Sequence, residues 1–141
     1  MGLLDDYSGQ GGLLGVGMTP APTRTHQRIA KKLLFLLTDK LPPDYEVLIF
    51  DAIEQFNTKS KVPDLTVYKN DIPLIFIEIT TRDEFHKVIA KAKQVMDKNK
   101  VYEAFIYDYE SKKTTKLSGI ENHSVQNNYS DVLHILIKFD N

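Results

Sequence analysis

The sequence predicts an α/β protein in which a mixed central sheet is flanked by helices. Two segments, at about 26–41 and 85–96, repeat apolar residues at the three- and four-residue steps of an amphipathic helix. Shorter apolar runs with the character of strands lie between and after these segments. The chain has 141 residues, of which 42 % are hydrophobic. This length suits one domain with its own core and is too short for two ordinary domains.

The first half of the chain predicts one helix followed by three strands. The helix carries its apolar stripe from Ile29 to Leu41, and the pair Pro42-Pro43 ends it because proline lacks a backbone N–H. Strands are expected at 45–50, 65–68 and 73–80, and residues 52–56 either continue the first strand or form a short one. The segment 73–80 is nearly all apolar, which is typical of a central strand buried on both faces.

The second half predicts a crossover helix and further strands. Apolar residues at 85, 88, 89, 92, 95 and 96 form the stripe of a helix with one buried face. A strand at 104–107 follows, and the order strand, helix, strand implies parallel neighbours joined by a right-handed crossover. Strands are also expected at 113–117 and at 132–139, the latter because apolar and polar residues alternate. The expected order is α-β-β-β-α-β-β-β.

Composition excludes several classes of function. The chain contains no cysteine, which excludes disulfides, thiolate zinc sites, iron–sulfur clusters and cysteine nucleophiles. Lysine and arginine number 18 against 19 acidic residues, so a nucleic-acid partner would need a local basic face. Residues 1–18 are rich in glycine and are expected to be a flexible segment before a single domain at 19–141. No targeting or membrane-spanning segment is recognisable, and a cytoplasmic location is expected.

The residues that point to chemistry are Asp64, which follows Pro63, and Glu78 in the next strand. If the two strands form a hairpin, these carboxylates are neighbours at one end of the sheet. A buried carboxylate pair is costly unless a cation lies between its members. Oxygen ligands at the edge of a rigid sheet suit Mg²⁺ or Mn²⁺. The alternative is structural: Asp64 would cap a turn and Glu78 would pair with a lysine.

The order of these motifs resembles the restriction-endonuclease-like fold of the PD-(D/E)XK superfamily, with its α-β-β-β-α-β core. More specifically, the chain resembles the large family of uncharacterised bacterial proteins assigned as restriction endonucleases. The resemblance is carried by residues 17–22 followed by His26-Gln27, by Pro63-Asp64, by Glu78 and by residues 101–108. It implies that Asp64 and Glu78 bind Mg²⁺ or Mn²⁺ at a catalytic centre.

The resemblance also implies roles for residues near this pair. The superfamily carries a lysine where this chain has Thr80, and the resembled family is thought to supply one from the following helix. Lys91 and Lys93 lie at the two borders of the apolar stripe, and Lys91 fits best; the alternative is that both are merely solvated. Thr80, His26 and Gln27 are candidate substrate-binding residues. His26 and Gln27 would hydrogen-bond a metal-bound water or a DNA phosphate, or His26 would simply pack at a helix start.

These observations predict a metal-dependent phosphodiesterase, specifically a DNA endonuclease. One alternative is a catalytically inactive module that binds nucleic acid or protein on the same fold. Another is a different phosphodiester substrate, such as structured RNA or a nucleotide second messenger. A homodimer is expected, because the chain is small and its predicted last strand would leave an apolar edge that needs covering.

Overall fold

The structure is a computed structural model that describes residues 23–50, 63–118 and 123–139. The predicted flexible segment 1–18, the predicted strand at 52–56 and most of the predicted loop before Pro63 lie outside the described residues. The predicted fold class is confirmed: in these described ranges, a mixed sheet has one helix on each of its faces. No helix in the described part of the chain is both long and apolar enough to cross a membrane.

Helix α1, Arg24–Lys40, begins and ends as its sequence predicts. The hydroxyl of Thr23 accepts a hydrogen bond from the His26 N–H at 3.1 Å, which satisfies one of the free donors at the helix start. At the other end, the Leu41 N–H donates to the Leu37 carbonyl before the two prolines. Its buried residues face the sheet and include Ala30, Leu33 and Leu37.

Within the described residues, the central sheet has six strands, arranged in the order in which the chain visits them. Of these six strands, β3 and β4 are parallel, and the other neighbours are antiparallel. Asn70 and Asp71 connect β2 to β3, and both have positive φ angles, as tight hairpin turns require. The strands are β1 Tyr45–Ile49, β2 Leu65–Lys69, β3 Ile72–Thr80, β4 Glu103–Asp108, β5 Lys113–Ser118 and β6 His123–Gln126.

Helix α2, Phe85–Asn99, makes the predicted crossover between the parallel strands β3 and β4. Its apolar stripe packs on one face of the sheet, against alternate residues of β3 and β4 such as Phe76, Ala104 and Ile106. The residues between them point to the opposite face and pack against α1. Side chains of a strand point alternately to its two faces, so the sheet has one hydrophobic core under α1 and a second one under α2.

Of the predicted strand at 132–139, only residues 135 and 136 form a strand. The chain turns at 131–134, where the His134 N–H donates to the Ser130 carbonyl at 2.8 Å and His134 has a φ of 59°. Only a short hairpin forms, of β7 Tyr129–Ser130 and β8 Ile135–Leu136. The turn is held because the buried Glu103 carboxylate accepts hydrogen bonds from the N–H groups of residues 131 and 132.

The apolar residues that suggested this strand are nevertheless buried. Leu133, Ile137 and Phe139 pack into the core on the α1 side of the sheet. They do not form the final edge of the sheet, where the chain instead places β6, a strand that the pattern did not predict. The argument for a homodimer from an apolar last strand therefore loses its basis.

Candidate functional site

The antiparallel pairing of β2 with β3 brings Asp64 and Glu78 together. Leu65 is the partner of Ile77 in this ladder, so the next step of the register sets Asp64 beside Glu78. Both carboxylates are buried, with 4 % of Asp64 and none of Glu78 exposed. Two acidic side chains from different strands are thus adjacent at a position with little access to water.

Hydrogen bonds from neighbouring strands hold Asp64 in place. Its Oδ2 atom accepts from the Ile79 N–H at 2.7 Å, a buried contact with the strand that carries Glu78. Its backbone carbonyl accepts from the Phe50 N–H at 2.9 Å. The Phe50 contact fixes the main chain of Asp64 and the Ile79 contact orients its carboxylate, as a ligand or catalytic group requires.

Glu78 has no such partners. Both of its carboxylate oxygens are buried, and neither has a hydrogen bond of regular geometry within the described residues. The backbone N–H of Asp64 is still close enough to lower the pKa of Glu78, but this effect is smaller than those that raise it. Burial raises the pKa of Glu78 well above its ordinary value of 4.5, and the charge of Asp64 raises it further. In its protonated form Glu78 can donate a hydrogen bond to Asp64, which also favours the neutral state.

The two candidate lysines of α2 differ in their relation to Glu78. The charge of Lys91 lowers the pKa of Glu78, so its ammonium group lies within electrostatic reach of the carboxylate. Lys93 is not among the groups that shift this pKa. Lys91 makes no ion pair with an acidic side chain of the described residues, so the direct contact expected of a buried carboxylate is not formed.

His26 lies against the acidic pair. Its Nε2 atom is 2.9 Å from Oδ2 of Asp64, an ion-pair distance, although the angles do not make a hydrogen bond. The imidazole side chain is only 7 % exposed, because the start of α1 packs at this end of the sheet. His26 therefore faces Asp64 and not open solvent.

The other two candidate substrate-binding residues differ in exposure. Thr80 is only 2 % exposed, and its hydroxyl donates to the Thr81 carbonyl at 3.4 Å. Its own carbonyl accepts from the Tyr109 N–H, which ties the end of β3 to the turn after β4. Gln27 is exposed on the first turn of α1, next to His26.

Asp64 and Glu78 are the residues that could hold a divalent cation. The described residues contain no group of three or more histidine, aspartate or glutamate side chains arranged for a metal ion. Mg²⁺, however, is commonly held by one or two carboxylates, with water and substrate oxygens completing its shell. The unpartnered oxygens of Glu78 beside a second carboxylate fit that donor set.

Sequence reasoning missed a second buried ionic cluster on the opposite face of the sheet. Glu103 and Lys116 lie on neighbouring strands, and Asp131 completes the cluster with the Lys116 ammonium group. The Ser130 hydroxyl donates to Glu103 at 2.6 Å. The sequence did offer one signal that Glu103 is buried: residues two apart in a strand lie on the same face, and Phe105 is buried. This cluster is fully paired, which marks it as structural.

Comparisons with known proteins show similarity in fold. No protein-family profile and no curated protein matches the chain. A crystal structure from Anabaena variabilis, of a candidate nuclease belonging to DUF820, matches with a TM-score of 0.62 and 16 % sequence identity. The match covers 84 % of this chain and 80 % of that one. At this identity the similarity shows a shared nuclease-like fold.

Proposed function

We propose that this protein is a metal-dependent phosphodiesterase of the PD-(D/E)XK type that cleaves DNA. One observation carries the proposal: Glu78 is buried beside Asp64, and its oxygens have no hydrogen-bond partner among the described residues. The fold shared with a protein described as a candidate nuclease supports the same conclusion.

A bound cation would explain an arrangement that is unfavourable by itself. Two adjacent buried carboxylates repel each other and lose hydration, and both penalties fall when a divalent ion lies between them. Asp64 and Glu78 would hold Mg²⁺ or Mn²⁺, which when bound supplies positive charge and lowers the pKa of a coordinated water.

The surrounding residues have distinct tasks in this proposal. The Ile79 N–H and His26 hold the orientation of Asp64, because both contact its Oδ2 atom. Lys91 would stabilise the negative charge that develops on the phosphate, since its ammonium group already acts electrostatically on Glu78. Lys93, Gln27 and Thr80 remain candidates for contacts with the substrate.

Plasmid cleavage tests the proposal. Supercoiled DNA is incubated with the protein and Mg²⁺ or Mn²⁺, beside Asp64→Asn and a Glu46→Gln control. Glu46 is an exposed acid on β1, so its replacement removes one negative charge away from the site. We expect nicked or linear DNA with the native protein and the control, and none with Asp64→Asn. The proposal is contradicted if Asp64→Asn cleaves the DNA as fast as the native protein does. It is also contradicted if the native protein cleaves neither DNA nor an RNA substrate tested in the same way.

A second candidate is a non-catalytic module that binds nucleic acid or protein. It is favoured by Thr80 in the position where the superfamily carries lysine, and by the missing ion pair between Lys91 and Glu78. Calorimetry separates the two functions. The absence of Mg²⁺ binding, together with DNA retention in EDTA, supports the module, whereas Mg²⁺ binding that Asp64→Asn abolishes supports the enzyme.

A second copy of the chain, as in a homodimer, would allow both DNA strands to be cut in one binding event. Light scattering at high protein concentration tests this part of the proposal. A particle of twice the chain mass of 16.1 kDa supports it, and a particle of 16.1 kDa contradicts it.

A further inference from the structure

A groove opens at the same end of the sheet as the acidic pair but on its α1 side. It has a volume of about 270 Å³ and lies between the β4–β5 turn and the residues that follow β6. Its walls are polar and include Lys112, Lys113, Gln126 and Asn127. The rings of Tyr107 and Phe139, stacked at 5.2 Å between centroids, also line it.

The charge presented by this groove is positive. Lys112 and Lys113 are both exposed, and neither makes an ion pair with the described residues. The acids of the same turn are engaged elsewhere: Asp108 accepts from the N–H groups of Glu110 and Ser111, and Glu110 accepts from the Arg82 N–H. Among the described residues that line the groove, the two ammonium groups are therefore the charged side chains.

The polar wall opposite the lysines offers a hydrogen-bond donor. The side-chain oxygen of Asn127 accepts a hydrogen bond from the Tyr129 N–H at 2.8 Å, and the backbone N–H of Asn127 donates to the Thr114 carbonyl. These contacts fix the residue and leave its amide NH₂ group to donate. Two ammonium groups and an amide donor around one groove are suited to phosphate oxygens.

The register of the sheet relates this groove to the acidic pair. Thr80 is the partner of Asp108, and Asp108 is the partner of Lys113, so one row across the sheet leads from the end of β3 to the groove. Neighbouring strands are about 4.8 Å apart, which puts Lys113 roughly 10 Å from the β3 position. Consecutive phosphates of a DNA strand are separated by at least the axial rise of about 3.4 Å, so this spacing spans no more than about three phosphates.

We propose that the groove between the β4–β5 turn and β6 binds the phosphate backbone of the DNA strand a few nucleotides from the bond that is cleaved. The identity of the ligand rests on the proposed function, but the binding itself does not require cleavage. Lys112 and Lys113 neutralise phosphate charge, and Asn127 donates to a phosphate oxygen.

Salt-dependent DNA binding in EDTA tests this proposal. Fluorescence anisotropy of a labelled duplex is measured over a series of salt concentrations, for the native protein and for Lys112→Gln/Lys113→Gln. We expect the slope of log K against log salt to fall in magnitude by about 2, because each lysine that contacts a phosphate accounts for about 1. Thermal unfolding verifies that both proteins are folded.

The matched control is Lys40→Gln/Lys98→Gln. These lysines lie in the last turns of α1 and α2, at the opposite end of the strands, and their replacement removes the same charge. We expect their slope to stay close to that of the native protein. An equal change in both double variants, an unchanged slope in Lys112→Gln/Lys113→Gln, or no DNA binding by the native protein at low salt overturns the groove proposal.

The outcomes distinguish this proposal from the proposed function. If the native protein never cleaves DNA but its salt-dependent binding is reduced in Lys112→Gln/Lys113→Gln, the groove proposal is supported and the nuclease proposal is contradicted. If the protein cleaves DNA in an Asp64-dependent manner but neither lysine pair affects the slope, the nuclease proposal is supported and the groove proposal is contradicted.

Discussion

Glu78 and Glu103 are buried to nearly the same extent on neighbouring strands, yet their surroundings are opposite. The oxygens of Glu103 receive hydrogen bonds from a hydroxyl and two backbone N–H groups, and Lys116 is 3.5 Å away. The oxygens of Glu78 receive none from the described residues and face another carboxylate. Hydrogen bonding stabilises the charged form of a carboxylate, so Glu103 supports the fold, whereas Glu78 lacks such stabilisation, as expected if the proposed cation binds there.

The raised pKa of Glu78 predicts how stability depends on pH without metal. Above its ordinary value of 4.5 the unfolded chain loses the Glu78 proton first, so stability falls as pH rises toward the folded-state pKa. We expect Glu78→Gln, which cannot ionise, to be more stable than the native protein in EDTA at neutral pH. Denaturant unfolding between pH 4.5 and 8 measures this difference. Parallel pH profiles for the two proteins would contradict it.

Lys91 is the residue whose loss should affect catalysis most selectively. We expect Lys91→Ala to lower turnover by about 10²–10³-fold, the usual effect of losing one electrostatic stabiliser. Alanine is well tolerated in a helix, so the unfolding midpoint should change little. Lys93→Ala is the matched control, since it removes the same charge two residues away. Equal losses of turnover in both variants would contradict a specific role of Lys91 in stabilising the phosphate charge.

At the scale of elements, the short β7–β8 hairpin depends on the buried cluster beneath it. Glu103 accepts the N–H groups of the turn at 131–132, and Lys116 joins Glu103 to Asp131. This cluster explains why the C-terminal residues turn and pack on the α1 core instead of extending the sheet. Local alternation could not reveal it, because its members come from three separate elements.

Removing the buried ammonium group should therefore destabilise the protein. We expect Lys116→Met to lower the free energy of unfolding by about 3 kcal/mol, since it leaves Glu103 charged and unpaired by any cation. The control is Lys87→Met, which breaks an exposed pair with Glu84 on α2 and should cost less than about 0.5 kcal/mol. Urea unfolding measures both values, and similar losses in the two variants would argue against the cluster as a support of the hairpin.

At the scale of the whole molecule, the proposed metal binding would be coupled to folding. Asp64 and Glu78 meet only when β2 and β3 pair, so the unfolded chain has no comparable site. We expect Mg²⁺ to raise the unfolding midpoint, with a gain of about 2.7 kcal/mol at a concentration of 100 times Kd. Thermal unfolding with Mg²⁺ and with EDTA measures the shift. The same shift in Asp64→Asn would assign it to another part of the chain.

The sequence by itself determined the elements that carry the fold. The two helices, β1 to β5 and the turn between β2 and β3 follow from periodicity, from proline and from residues that tolerate tight turns, all of which act within a few residues. That Asp64 and Glu78 lie at one end of a hairpin followed as well, but their direct pairing depends on a register shift between Val67 and Tyr68 that the sequence pattern did not predict.

Only the tertiary structure decided the contacts that join distant elements. It sets Lys91 within electrostatic reach of Glu78, brings His26 against Asp64, and shows that Glu103 and Lys116 hold a turn where alternation predicted a strand. The physical reason is that these contacts depend on how helices and strands pack in three dimensions. A sequence pattern reports which residues are buried, but the partner of a buried charge is set by the arrangement of the whole fold.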